Sequence, residues 1–140
     1  MQASEPGIVM RRIHPTLSRH RVLVFDSDPG AAMTLRNALG TEYAVDFSDE
    51  IEEAEAMFSN VFYAVAIVQA SALGSSRRAQ FEFVRFIALQ SERTRVVLLD
   101  EQRGSGDDDG GLGFVVDVVL PKTVRPSTLA LLVSELSRAP

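Results

Sequence analysis

The sequence predicts an α/β fold: a three-layer sandwich, doubly wound, with five parallel strands and helices on both faces. Three observations predict it. From residue 21 onward, short apolar runs alternate with segments of helical periodicity. The runs are apolar nearly throughout, as strands buried on both faces are. Helix start and stop signals sit between them, most clearly at Asp28, Pro29 and Gly40. With 140 residues, 46% of them hydrophobic, the chain can bury one core.

The elements follow in order. Residues 1–20 hold two prolines, no sustained periodicity and several arginines, which predicts a mobile N-terminal extension. Residues 21–140 form the domain. RVLVF (21–25) is the first strand. DPGAAMTLRNALG is the first helix, with Asp28 as N-cap, Pro29 in the first turn and Gly40 closing it. YAVDF (43–47) is the second strand. SDEIEEAEAMF is a helix that Asp49 caps, with Glu52 three residues on as in a capping box. YAVAIV (63–68) is the third strand. The helix in SSRRAQFEFVRFIALQSE places Phe81, Val84, Ile87 and Ala88 on its core face, with Arg77 and Arg78 on a solvated one. RVVLL (95–99) and FVVDVVL (114–120) are the fourth and fifth strands. The last helix, in RPSTLALLVSELSRA, puts Leu129, Leu132, Val133 and Leu136 at core spacing. One segment breaks the pattern. EQRGSGDDDGGLG (101–113), with five glycines and three successive aspartates, predicts an irregular element where the architecture expects a fourth helix. The Asp107 to Asp109 run lacks the alternating acids and closing Glu of a calcium loop, so a solvated acidic loop is expected.

Composition excludes several functions. A net charge of -5 gives no general attraction for nucleic acid. With no cysteine there is no disulfide, thiolate metal site or cysteine nucleophile. No apolar run reaches the roughly 18 residues of a membrane span, and the N-terminus has no secretory h-region. A cytoplasmic protein is expected. His14 and His20 fall in the extension and are assigned no metal.

In an open parallel sheet, ligands bind outside the carboxyl ends of the strands. Those ends carry Asp26, Ser27 and Asp28 after strand one, Gln69 after strand three, Asp100 after strand four and Lys122 after strand five. From about residue 21 to 139 the chain resembles the receiver domain of bacterial two-component response regulators. VLVFDSDP is similar to the family's opening strand and acidic cluster. LPKTVRPSTL is similar to its strand-five lysine, turn and last helix, and the intervals between residues 26, 69, 100 and 122 also fit. The resemblance implies a flavodoxin-like sheet in the order 2-1-3-4-5 and a place in phosphorelay signalling.

The departures from the family shape the functional expectation. Receivers carry two adjacent acids that hold magnesium; here the matching pair is Asp26 and Ser27. They carry a phosphoacceptor aspartate after strand three; here it is Gln69, a neutral carboxamide and a poor nucleophile. They carry Thr or Ser after strand four; here it is Asp100. Only Lys122 matches. This predicts a degenerate phosphoacceptor pocket and a pseudo-receiver that is not an enzyme and works by protein interaction without phosphorylation. No cofactor is expected. Magnesium is disfavoured because it wants several hard oxygen ligands, and Asp26 and Asp28 are the weak candidates left. Lys122 is expected to pair with Asp100, with Gln69 as a nearby hydrogen-bond partner. Asp100 would repel a phosphoryl group, by about 1 kcal/mol at roughly 4 Å in water and more when partly buried. The partners expected are signalling proteins or a C-terminal output domain, with homodimerisation open and no direct nucleic acid or membrane contact. Three alternatives stand beside this reading: a receiver phosphorylated on Asp26 or Asp28, a small-ligand sensor in the altered pocket, and a small α/β enzyme. The last lacks any G-x-S-x-G elbow, P-loop or dinucleotide fingerprint.

Overall fold

A computed structural model describes residues 20–74, 76–100 and 116–138. The sheet contains β1 (His20–Phe25), β2 (Tyr43–Ser48), β3 (Val65–Gln69), β4 (Arg95–Leu99) and β5 (Val118–Leu120). All neighbours pair in parallel, in the order β2-β1-β3-β4-β5. The helices are α1 (Pro29–Leu39), α2 (Ile51–Asn60), α3 (Arg77–Gln90) and α4 (Pro126–Arg138), and a 3-10 turn covers Ala70–Leu73. Residues 1–19 of the predicted extension (1–20) and the irregular segment (101–113) lie outside the described residues.

The period of two along a strand divides the core into two layers. Leu23, Phe25, Ala66, Val68, Val96 and Leu98 face α2 and α3, where Ala54, Phe58, Phe83, Val84 and Ile87 meet them. Val22, Val24, Val65, Ile67, Val97 and Leu99 face α1 and α4, against Ala32, Leu35, Leu129, Ala130 and Val133. The sheet is covered on both sides, which explains the uninterrupted apolar runs.

Local signals set several boundaries. Asp28 caps α1 by accepting from Gly30 N–H at 2.9 Å, and Pro29 occupies the first turn. At the far end Gly40 has φ 88°, a conformation favouring glycine, while its N–H reaches Arg36 C=O at 3.1 Å. Other boundaries differ from expectation. His20 belongs to β1, not to the extension, and its ring stacks on Tyr43 at 5.3 Å. β3 runs on to Gln69. The capping box at Asp49 and Glu52 does not form. Glu50 holds the N-cap position, and Ser48 Oγ instead accepts from Glu50 N–H at 3.3 Å and donates to Glu53 Oε1 at 2.7 Å. In α3 the buried row is Gln80, Phe83, Val84 and Ile87, leaving Phe81 and Ala88 half-buried. Gln80 is tolerated inside because its amide donates to Ala70 and Gly74 carbonyls at 3.2 and 2.9 Å, tying α3 to the 3-10 turn. In α4, Ala130 is buried where Leu132 and Leu136 were expected; these two are half-buried. Among the described residues β5 covers only Val118–Leu120. Asp117 just before it accepts from Val96 N–H at 2.7 Å and pairs with Arg95 at 3.6 Å.

At the opposite end of the strands from their carboxyl ends, the buried Tyr63 donates its hydroxyl to Asp46 at 2.6 Å, and Arg21 meets the same carboxylate at 3.4 Å. Burial, then the Asp46 hydrogen bond and charge, push the Tyr63 phenol well above its usual value. A phenol that ionises in the unfolded chain near pH 10 but stays protonated in the fold contributes stability below that pH and loses it as pH rises. Urea unfolding of Tyr63→Phe should show a loss of about 1–2 kcal/mol at neutral pH. The decline in stability that wild type shows above about pH 10 should shrink in the variant.

Candidate functional site

The carboxyl ends of β1, β3, β4 and β5 converge because parallel strands end on one edge. Asp26 follows β1. Its N–H donates to Ser48 C=O at 3.2 Å, holding the turn against β2, and its Oδ1 accepts from Asp28 N–H at 2.9 Å. Only 6% of Asp26 is exposed. Gln69 ends β3, opposite Leu99 in register, and is 1% exposed. Asp100 N–H bonds to Leu120 C=O at 2.9 Å, which sets the end of β5, and with it Lys122, beside β4.

The Gln69 carboxamide has two orientations, related by exchange of its oxygen and nitrogen. One lets Oε1 accept from Ser27 N–H and Oγ, both long at 3.4 Å, but turns that oxygen toward Asp26 and the amide nitrogen toward Lys122. The other donates from the amide nitrogen to Asp26 Oδ1 at 2.7 Å and accepts from Lys122 Nζ. The second orientation is the physical one. It satisfies an acid and a base at once, where the first sets acceptor against acceptor and donor against donor. A neutral amide thus links a buried carboxylate to an ammonium group.

Asp100, 7% exposed, meets a cation that the sequence did not single out. Arg77 Nη1 lies 2.9 Å from Asp100 Oδ2 and 3.0 Å from Gln80 Oε1. Arg77, placed by the sequence on a solvated face, comes from the first turn of α3, while the Lys122 ammonium is directed to Gln69. Arg77 and Gln80 are therefore site-edge residues that sequence reasoning missed. A usable signal existed: in a doubly wound fold the helix N-termini border the carboxyl edge of the sheet, so a long cation in the first turn of α3 can reach it. Asp28 remains the cap of α1, as its position predicted.

Magnesium does not fit this donor set. Of the positions that would supply oxygen, Ser27 has no carboxylate, and Gln69 directs its NH2 at Asp26 and its oxygen at Lys122. No group of three His, Cys, Asp or Glu side chains suited to a metal occurs among the described residues. A small divalent ion demands near-octahedral oxygen ligation, which Asp26, its Oδ1 already accepting two donors, and the capping Asp28 do not supply.

Beside this network lies a cleft of about 360 Å³ between the start of α1 and the segment entering α4. Asp26, Ser27, Asp28 and Lys122 line it at the sheet edge, and Leu35, Leu99, Val124 and Leu129 give it apolar walls.

No protein-family model matches the chain, and no curated protein does. Solved structures do. A CheY-like response regulator receiver domain protein from Methanospirillum hungatei superposes with a TM-score of 0.71 at 18% identity, over 86% of this chain and 94% of that one. The non-phosphorylated HemR receiver domain of Leptospira biflexa gives 0.71 at 17% identity, over 86% and 96%. The chemotaxis response regulator CheY4 of Vibrio cholerae gives 0.70 at 20% identity, over 85% and 99%. These likenesses show a receiver-type, flavodoxin-like fold. No helix among the described residues is long and apolar enough to cross a membrane.

Replacing Gln69 with Leu keeps the volume but leaves Asp26 and Lys122 without their shared amide. Urea unfolding should show a loss of about 1–3 kcal/mol. Arg77→Met should cost about 1–2 kcal/mol, the half-exposed guanidinium having kept part of its hydration.

Proposed function

We propose that the chain is a degenerate receiver domain, a pseudo-receiver, that acts as a regulatory and protein-interaction module without accepting phosphate. One observation carries this reading: Gln69, buried at the end of β3, bridges Asp26 and Lys122 through its amide. In the receiver arrangement that the fold resembles, this position supplies the nucleophilic carboxylate. A carboxamide has neither the charge nor the nucleophilicity for that step. Ser27 and Asp100 support the same conclusion, the first by removing a metal-binding acid and the second by placing a carboxylate where a hydroxyl would meet the phosphoryl group.

The module is not an enzyme under this reading. Its output passes to a signalling partner, an attached output domain or a second copy, through surfaces that the locked edge holds in one state. Fold alone does not assign function, and the altered edge residues carry the choice.

Intact-mass measurement after incubation with acetyl phosphate and magnesium should show no phosphoryl adduct. An adduct mapping to Asp26 or Asp28 would overturn the reading. The double variant Ser27→Asp, Gln69→Asp restores the two missing carboxylates. It should gain saturable amide shifts with magnesium, and a stabilisation of about 1.4 kcal/mol at ten times its Kd, that wild type lacks.

A further inference from the structure

The cleft between α1 and α4 is more than a remnant of the altered edge. Its polar end is unevenly charged. Asp26 and Asp28 supply two carboxylates, and the one ammonium group, on Lys122, is directed to the Gln69 carbonyl. Both protein donors to the Asp26 side chain, Asp28 N–H and the Gln69 amide, fall on Oδ1. The second oxygen, Oδ2, receives no donor among the described residues, although the residue is more than nine-tenths buried. A buried carboxylate oxygen left without a donor is costly, and a ligand donor removes that cost.

The rest of the cleft selects the ligand's body. Gly30, Ala31 and Thr34 present short side chains along α1, facing Val124 and Pro126 across the opening. Leu35 and Leu129 close the inner end. About 360 Å³ is near the lower end of the range for small-molecule sites, which run to roughly 1,000 Å³. A metal ion would find Asp26, whose Oδ1 already accepts two donors, and Asp28, whose Oδ1 caps α1, beside apolar walls. An anion would meet two carboxylates. A primary ammonium needs only a few acceptors, and its hydrocarbon part would cover the leucines and valine.

We infer that this cleft binds a small organic cation, a primary amine on an aromatic or branched apolar body, with its ammonium group on Asp26 Oδ2 and its body between Ala31, Leu35, Val124 and Leu129. Such binding gives the phosphate-independent module a small-molecule input. It rests on the proposed reading in one respect, that Gln69 rather than a metal organises Asp26. Because the amine would lie across the α1 and α4 seam, it would couple the sheet edge to the helix that ends the domain.

The test is a titration of the full chain with phenethylammonium, followed by amide shifts of Ala31, Thr34, Val124 and Leu129. Phenethyl alcohol, phenylacetate and magnesium chloride serve as comparison probes. Saturable shifts are expected with phenethylammonium, about tenfold or more weaker binding with the neutral alcohol, and none with phenylacetate. Asp26→Asn should weaken amine binding about tenfold or more, and Ala31→Leu, which fills the opening while leaving every carboxylate in place, should abolish it. Leu89→Ser, on α3 across the sheet, should bind as wild type does. Equal binding of amine and alcohol, unaltered binding in Ala31→Leu, or no response to the amine would each overturn the inference. If magnesium alone saturates the same amides and excludes the amine, the inference falls together with the lost-metal reading. An acetyl phosphate adduct without such competition would sink the phosphate-independent reading alone.

Discussion

A carboxylate buried at the edge of a parallel sheet must be partnered, and here one buried side chain links it to an ammonium group. Gln69 is among the largest fully buried side chains. An amide is the one uncharged side-chain group that can donate to an acid and accept from a base at the same time. The price is chemical: the atom that could have attacked phosphorus is an amide oxygen already engaged as an acceptor.

The rest of the edge is arranged around that constraint. Lys122 is directed to Gln69, and Asp100 meets a cation from the start of α3. Arg77 reaches it across the top of the sheet and also touches Gln80, which holds the carbonyls of the turn that follows Gln69. The two ends of the β3–α3 connection are therefore fastened to each other and to β4. A pair in which one member is a third exposed contributes modestly to stability. Its larger effect is geometric, because it fixes the start of α3 against the end of β4.

The cleft follows from the same arrangement. Both donors fall on one oxygen of Asp26, and Asp26 lines the cleft between the start of α1 and the segment entering α4. The two apolar layers of the sheet do not draw on these edge residues, because Asp26, Gln69 and Asp100 belong to neither hydrophobic cluster.

The sequence by itself determined the layers, the strand order through its resemblance, and the helix α1 with both its caps. Those features rest on local chemistry: apolar periodicity, a capping aspartate, a proline and a glycine with positive φ. It also identified Asp26, Ser27, Asp28, Gln69, Asp100 and Lys122 as edge residues, since each directly ends or follows a strand. Tertiary structure decided which of them touch. Arg77 and Asp100 are 23 residues apart, and no periodicity states that a side chain in the first turn of α3 will arch over the sheet. The cap of α2 failed for a similar reason: Ser48, held by β2, captured Glu53 and displaced the box that Asp49 and Glu52 would have formed. Burial of Gln80 in place of Phe81 reflects the rotation of α3 that its two carbonyl partners impose. Local rules describe what a residue does with its neighbours in the chain, and pairing at a sheet edge depends on which strands the fold has set side by side.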